Sequence, residues 1–335
     1  DEGPQRFALQ RAFIAITRVA AAAAVEFHPR VWLGAHLSYV SGAANFAQRQ
    51  DFGALADFSD ALAGPPINQA NAFGPDAPST VRELDVLGRD VVIKDAAVHA
   101  VTFGLGVTVK PIDRLTIGLA YDHGSNLDFA GDFEIDMNDE LFTQDLRKNG
   151  LEYAPRVEGD ATISLSTPKR FTLGVHHDTT ATIDLELRLA YVTWSDFDRI
   201  GVVLESEGLA QPAVGLPPRN SVDLPRRWDD TVSVEGLVHA DLLANLRLLV
   251  ALGYQSPASP DETIDASGPD GHRLIGALGV DWGLTPDTHL IADARVQRLI
   301  EREVEDSEHD LGNGTYNLLI AAFGLHLQVR FGEGE

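Results

Sequence analysis

Eleven polar residues recur at alternate positions of otherwise apolar ribbons: Asp184, Glu186, Arg188, Glu235, His239, Arg247, Asp293, Arg295, Gln297, His326 and Arg330. Their first chemistry is mutual. Carboxylates and guanidiniums on neighbouring strands form cross-strand ion pairs that hold register. A second chemistry is open to the same set. One of Arg188, Arg247 and Arg295 would grip a ligand carboxylate through two parallel hydrogen bonds, with His326 as a further ligand-facing candidate. Catalysis is not expected. The chain has no Gly-x-Ser-x-Gly elbow, no phosphate-binding loop and no His-Glu-x-x-His. His239 with Glu235 or Asp293 imitates a hydrolase pair, but such pairs arise readily by chance. His176-His177 imitates a metal site. The two flank a turn, and adjacent strand residues point to opposite faces, so neither a metal nor a cofactor is expected.

The elements that must position these groups are β-strands. From Ile183 the chain alternates, with Ile183, Leu185, Leu187, Leu189 and Tyr191 on one face and Asp184, Glu186, Arg188 and Ala190 on the other. Strict period two means a strand with one apolar and one polar face. A soluble sandwich would turn such charges to bulk water. A membrane barrel would turn them into a wet lumen, with the aliphatic face to lipid and aromatics at the interfaces. The same alternation runs through 31–40, 103–109, 115–121, 246–254, 274–282, 290–296 and 319–331. Residues 7–28 carry an alanine run that favours helix. The following His-Pro-Arg turn pairs them with 31–40, which argues for a strand.

Short turns and long loops alternate along the chain, as they do when all short turns lie at one end of a barrel. Residues 1–335 therefore read as one antiparallel transmembrane β-barrel, with long external loops at 51–96 and 124–156 and a Pro-rich loop at 206–225. The first loop carries a helical-looking piece at 52–62. Its aromatics Phe46, Phe52, Phe58 and Phe73 either pack the loop on itself or form an apolar landing groove. Pro168 falls inside the strand predicted over 157–180. It cannot donate to a ladder, so it marks a kink, bulge or edge.

Composition is compatible. The chain has 335 residues, 44% of them hydrophobic, and no cysteine, which excludes disulfides and thiolate chemistry. No window approaches the ~18 apolar residues of a spanning helix. A net charge of −24 argues against nucleic acid as a partner, since phosphate binding needs a basic face. The acid gathers at 128–145 and 301–310, read as solvated loops or as a cation-bridged surface facing lipopolysaccharide and outer-membrane lipid. The chain opens DEGPQRFALQ, with no basic or apolar export signal, so such a signal has been removed or the chain starts within a longer sequence.

About eleven strands are predicted. An odd number cannot close an antiparallel barrel, and an open edge in lipid is excluded. Further strands at the N-terminal side, or another chain, are therefore expected.

Three stretches resemble the FadL family of outer-membrane transporters of long-chain fatty acids and aromatic hydrocarbons. They are Pro168 with RFTLGVHHDTTATIDLELRLAYVTWSDFDRI, the hairpin GLGVTVKPIDRLTIGLAYDHGSNLDFAG, and Arg227-Trp228-Asp229-Asp230-Thr231 through LRLLVALGYQSPASPDE to PDGHRLIGALGVDWGL. The resemblance implies a fourteen-stranded barrel with an N-terminal hatch, passive capture of a hydrophobic molecule between external loops, a lumenal site, and a sideways exit at a kinked strand. It implies no cofactor. The hatch and first strands have no counterpart before Asp1. The alternative is a structural barrel subunit that pairs with another chain.

Overall fold

The computed structural model describes residues 10–51, 88–136, 154, 156–210, 219–264, 268–308 and 312–330. Its first hairpin pairs β1 (Arg11–His28) with β2 (Val31–Asp51), the strand reading rather than the helical one. β3 (Gly88–Ile112) follows, then β4 (Leu115–Asp122), β5 (Asn126–Asp136), β6 (Arg156–Ser166), β7 (Arg170–Asp178), β8 (Ile183–Val192), β9 (Arg199–Glu205), β10 (Arg219–Pro225) and β11 (Thr231–Leu243). The last ribbons are β12 (Leu246–Gln255), β13 (Arg273–Thr285), β14 (Thr288–Leu299), the small hairpin of β15 (Arg302–Val304) with β16 (Gly314–Tyr316), and β17 (Leu319–Val329). All pairings are antiparallel.

Four ribbons are each broken once. β4 and β5 both pair with β3, at its two ends; β6 with β7, β8 with β9 and β10 with β11 likewise continue one another across a break. Counting each such pair as one, with β1–β3, β12–β14 and β17, gives eleven ribbons. The four breaks fall on neighbouring ribbons, so they line up as a crease across the wall. Below it lies a half joined by short turns; above it lies a half that leads into the long connections. Among the described residues, β1 and β17 each pair on one side only.

The two halves have opposite polarity. In the turn half the apolar residues face outward and stay uncovered: Phe323 is 83% exposed, Leu325 73% and Leu252 71%. In the loop half they face inward. Leu127, Phe129, Phe133 and Ile135 of β5 are at most 2% exposed, while Asp128 and Asp132 between them point out. They join Val91, Ile93, Val98, Val157, Ile163, Leu204 and Leu209 in one core. β3 passes through both regimes. Its inward positions run Val91, Ile93, Ala96, Val98 and then Thr102, Gly104; its outward positions Val101, Phe103 and Leu105 are exposed. A bulge between Lys94 and Ala97 restores the facing, with Asp95 at φ 53°, a left-handed conformation that Asp tolerates better than most residues. The loop half curls tightly enough that Phe129 reaches over to Gly42 of β2, where an added Cβ would lie 3.0 Å from its ring.

Opposite polarity has one physical source. Apolar faces are left uncovered where the surroundings are hydrocarbon and are folded inward where the surroundings are water. From Ile183 to Tyr191 the outward apolar run of β8 is nine residues, the length a tilted strand needs to cross a membrane (~9–11). Aromatic rings mark its upper limit: Tyr121 packs on Phe171 at 5.0 Å and Phe171 on Tyr191 at 6.4 Å.

Several expected boundaries move. Residues 88–96 belong to β3 and 126–136 to β5, so the loops expected over 51–96 and 124–156 are partly sheet; 52–87, 137–153 and 155 lie outside the described residues. The expected loop over 206–225 contains β10 and a 3-10 turn at Glu207–Leu209. The helical-looking piece near 52–62 lies outside the described residues.

Candidate functional site

A cavity of about 440 Å³ opens on the concave face of β8, β11, β12, β13, β14 and β17. All four ligand candidates line it: Arg188, Arg247, Arg295 and His326. Register brings them together, because cross-strand partners share a face. One row runs Arg188, Glu235, Gly253, Ile275, Gln297, Ile320. The next runs Glu186, Leu237, Ala251, Ala277, Arg295, Ala322. Below them come Asp184, His239, Leu249, Gly279, Asp293, and then Asp241, Arg247, Asp281, Ile291, His326. The middle of the first three rows is small or aliphatic, with the charges to either side, and the last row is charged through Arg247 and Asp281. The cavity floor is therefore apolar, with an ionic rim.

Every arginine on that rim is already engaged. Arg295 Nη2 donates to Glu235 Oε2 at 2.9 Å, reaching from β14 to β11 across the small residues Ala277, Ala251 and Gly253. Arg188 pairs with Glu186 and lies 3.9 Å from Glu235 Oε1. Arg247 donates to Asp241 at 2.7 Å and lies 3.4 Å from Asp184. His326 Nε2 meets Asp293 at 3.2 Å, and His239 Nδ1 lies 3.5 Å from Asp184. Three arginines thus meet Asp184, Glu186, Glu235 and Asp241. The ion-pair lattice is the chemistry in place. His239 Nε2 is shut from solvent without a partner among the described residues.

Gly253 makes part of this geometry possible. A Cβ there would come within 3.3 Å of Cβ and Cγ of Glu235 and 2.9 Å from the Val234 carbonyl oxygen, so the Glu235 stem lies where a side chain would stand. A second inward cluster was not singled out by sequence. His36 of β2 lies across Gly104 of β3 and meets Asp122 of β4 at 3.0 Å, with Arg18 3.3 Å from the same imidazole. The signal available was Gly104 on the polar face, between His36 and Asp122 in register.

Pro168 sits in the crease, between β6 and β7. Hydroxyl side chains supplement a thinned ladder there. Ser125 N–H donates to Thr167 Oγ1 at 2.8 Å, Thr167 N–H to Ser125 O at 2.8 Å, and Lys169 N–H to Thr193 Oγ1 at 3.0 Å. Asp196 accepts from Thr193 and from Lys169 Nζ, and Asp230 accepts from Ser195 N–H and from Tyr191. These bonds, Thr193 first and then Lys169, hold the Asp196 carboxyl below its ordinary range. Ser195 and then Tyr191 do the same for Asp230, and Asp196 raises Lys169. Trp194, Phe197 and Trp228 close the crease with edge-to-face contacts at 4.8–6.2 Å.

Of the loop aromatics, Phe46 lies in β2 and packs on the loop-half core, because its pairing with Ile93 turns it inward. Phe52, Phe58 and Phe73 lie outside the described residues. The histidines of the 176–177 pair have separate partners, Asp178 and Thr179, and no group able to hold a metal ion occurs among the described residues.

The geometry agrees with known proteins. A family model described as outer membrane protein transport protein (OMPP1/FadL/TodX) matches residues 7–330. A crystal structure of a Pseudomonas aeruginosa FadL homologue superposes with TM-score 0.71 at 18% identity, covering 96% of this chain and 68% of that one. The CymD monoaromatic hydrocarbon channel gives 0.65 at 14%, over 96% and 75%. The Pseudomonas putida toluene transporter TodX gives 0.62 at 14%, over 95% and 70%. At these identities the likeness is one of fold. No curated protein matches the chain.

Proposed function

The chain belongs to the outer membrane protein transport protein family (OMPP1/FadL/TodX), and on that footing we propose that it carries long-chain fatty acids or aromatic hydrocarbons passively through a lumenal site and releases them sideways. It is an outer-membrane β-barrel transport protein and not an enzyme. The observation that carries the proposal is the pairing of an uncovered aliphatic outer face with a cavity on the concave face whose floor is Leu237, Leu249, Ala251, Ala277 and Ile291. A hydrophobic molecule resting on that floor covers apolar surface, each Å² contributing roughly 25 cal/mol. No nucleotide or ion coupling is needed for flow down a gradient.

The crease is the proposed exit. Four neighbouring ribbons lose ladder hydrogen bonds at one height, where Pro168 has no donor, and a few backbone and hydroxyl bonds join them there. Parting them costs less than tearing an unbroken ladder. The aromatic rim just below, Tyr39, Phe103, Tyr121, Phe171 and Tyr191, suits contact with outer-membrane lipid and lipopolysaccharide.

Uptake of labelled p-xylene and dodecanoate by proteoliposomes with a lipopolysaccharide outer leaflet tests the proposal. Faster uptake of either than in protein-free vesicles is expected; equal rates for both defeat it. A second reading rests on the one-sided pairing of β1 and β17 among the described residues: their outer edges suit strands of another chain in a structural assembly. Native mass spectrometry of the protein from membranes tests that reading, which requires a stoichiometric partner chain.

A further inference from the structure

We infer that Glu235 is a built-in occupant of the lumen's anion site, and that it restricts the cargo to uncharged hydrophobic molecules. The inference rests on the lumenal site proposed above. Arg188 and Arg295 stand on opposite sides of the apolar floor, on β8 and β14, and converge on one carboxylate. Arg295 Nη2 is 2.9 Å from Glu235 Oε2, and Arg188 Nη1 is 3.9 Å from Oε1. Each oxygen of Glu235 thus addresses a different guanidinium, the arrangement in which two arginines would clamp the head of a bound carboxylate. The Glu235 side chain is only 14% exposed, and its stem lies over Gly253, which has no side chain to displace it.

The remaining cations of the cavity do not offer a replacement. Arg247 is held by Asp241 and Asp184, His326 by Asp293, and His239 lies against Asp184 with its other ring nitrogen shut from solvent. A carboxylate-bearing cargo therefore meets a lumen whose cations are taken and whose lining also carries the carboxylates of Asp281 and Asp293. It would have to displace Glu235 and leave that group unpaired against the floor, which costs the charge its desolvation without return. An alcohol or hydrocarbon of the same chain length meets only the aliphatic floor and pays no such penalty.

The test is a matched pair of probes, dodecanol and dodecanoate, binding to the detergent-solubilised full chain by equilibrium dialysis at about pH 8, where the acid is fully ionised. The wild type is expected to bind dodecanol in preference. In Glu235→Gln, Arg295 loses its carboxylate partner and Arg188 keeps only Glu186, and the dodecanoate-to-dodecanol affinity ratio rises roughly ten- to a hundred-fold, the range of a charge-assisted pair. Glu235→Gln combined with Arg295→Gln removes one arm of the clamp, and the ratio falls back. Heat-modifiable migration on gels confirms that each variant is folded. Equal binding of both probes by the wild type, or an unchanged ratio in folded Glu235→Gln, overturns the inference and leaves the transport proposal standing. Binding of neither probe to any variant overturns the lumenal site itself.

Discussion

Opposite polarity in the two halves predicts opposite tolerance of one substitution. Leu187 lies at the middle of the outward apolar run of β8, four residues from Ile183 and four from Tyr191, or roughly 13 Å of strand from either limit at ~3.3 Å per residue. That places it near the centre of the hydrocarbon. Leu187→Arg should therefore cost about 2–4 kcal/mol of unfolding free energy in lipid, the depth-dependent range for a cation at the midplane. Ala130 of β5 is also exposed and outward, but above the crease, with Asp128 and Asp132 beside it. Ala130→Arg should change stability by no more than about 0.5 kcal/mol, as a solvated surface substitution does. The assay is guanidinium unfolding of the protein in phospholipid vesicles, followed by tryptophan fluorescence and analysed by linear extrapolation. A cost below about 1 kcal/mol at Leu187, or equal costs at the two sites, would refute the reasoning, since both results would mean that the two faces meet the same solvent.

Further outcomes concern the crease and the loop half. Phe129→Ala, at 1% exposure over Gly42, should destabilise the protein by about 3–5 kcal/mol in the same unfolding assay; a loss under about 1 kcal/mol would mean the loop-half core is not tightly packed. Because the chain has no cysteine, Ser125→Cys with Thr167→Cys, whose hydroxyl oxygens are 3.2 Å apart, gives a single engineered bridge between neighbouring ribbons at the crease. Oxidation should slow cargo uptake several-fold and reduction should restore it; uptake indifferent to redox state removes the crease as the exit. Acid should loosen the same region. The Asp196 and Asp230 carboxyls are held below their unfolded values. Groups depressed in the folded state contribute stability above the unfolded value, and that stability is lost as pH falls through the folded one. Protease cleavage within the crease should rise below about pH 4, and cleavage independent of pH between 7 and 3 would contradict the assignment.

The turn half was legible in the sequence. Ile183–Tyr191 and Leu246–Tyr254 alternate without interruption, and the structure places their apolar members outward and Asp184, Glu186, Arg188 and Arg247 on the concave face. The ribbon count was also legible, since each short turn between apolar runs is visible. What misled was charge density. Residues 126–136 read Asn-Leu-Asp-Phe-Ala-Gly-Asp-Phe-Glu-Ile-Asp, and their four acids suggested a solvated loop. Yet Leu127, Phe129, Phe133 and Ile135 keep period two throughout, and acids at the alternate positions are what a strand bordering water carries. Alternation fixes two faces but not which one is inside, and that assignment reverses at the crease. Pro168 announced a local break. That three neighbours break at the same height depends on register between distant segments, which single-strand periodicity does not contain. The Arg295–Glu235 reach across two intervening strands is hidden for the same reason.

The most direct measurement exploits the absence of cysteine. Single cysteines carrying nitroxide labels at Leu187, Phe323, Ala130 and Gln297 would be compared for collision with molecular oxygen, which partitions into hydrocarbon, and with a water-soluble nickel chelate, in lipid vesicles. Labels at Leu187 and Phe323 should be open to oxygen and shielded from nickel, while labels at Ala130 and Gln297 should favour nickel. Nickel access at Leu187 equal to that at Ala130 would contradict the assignment of the aliphatic turn-half face to lipid and of the charged concave face to enclosed water.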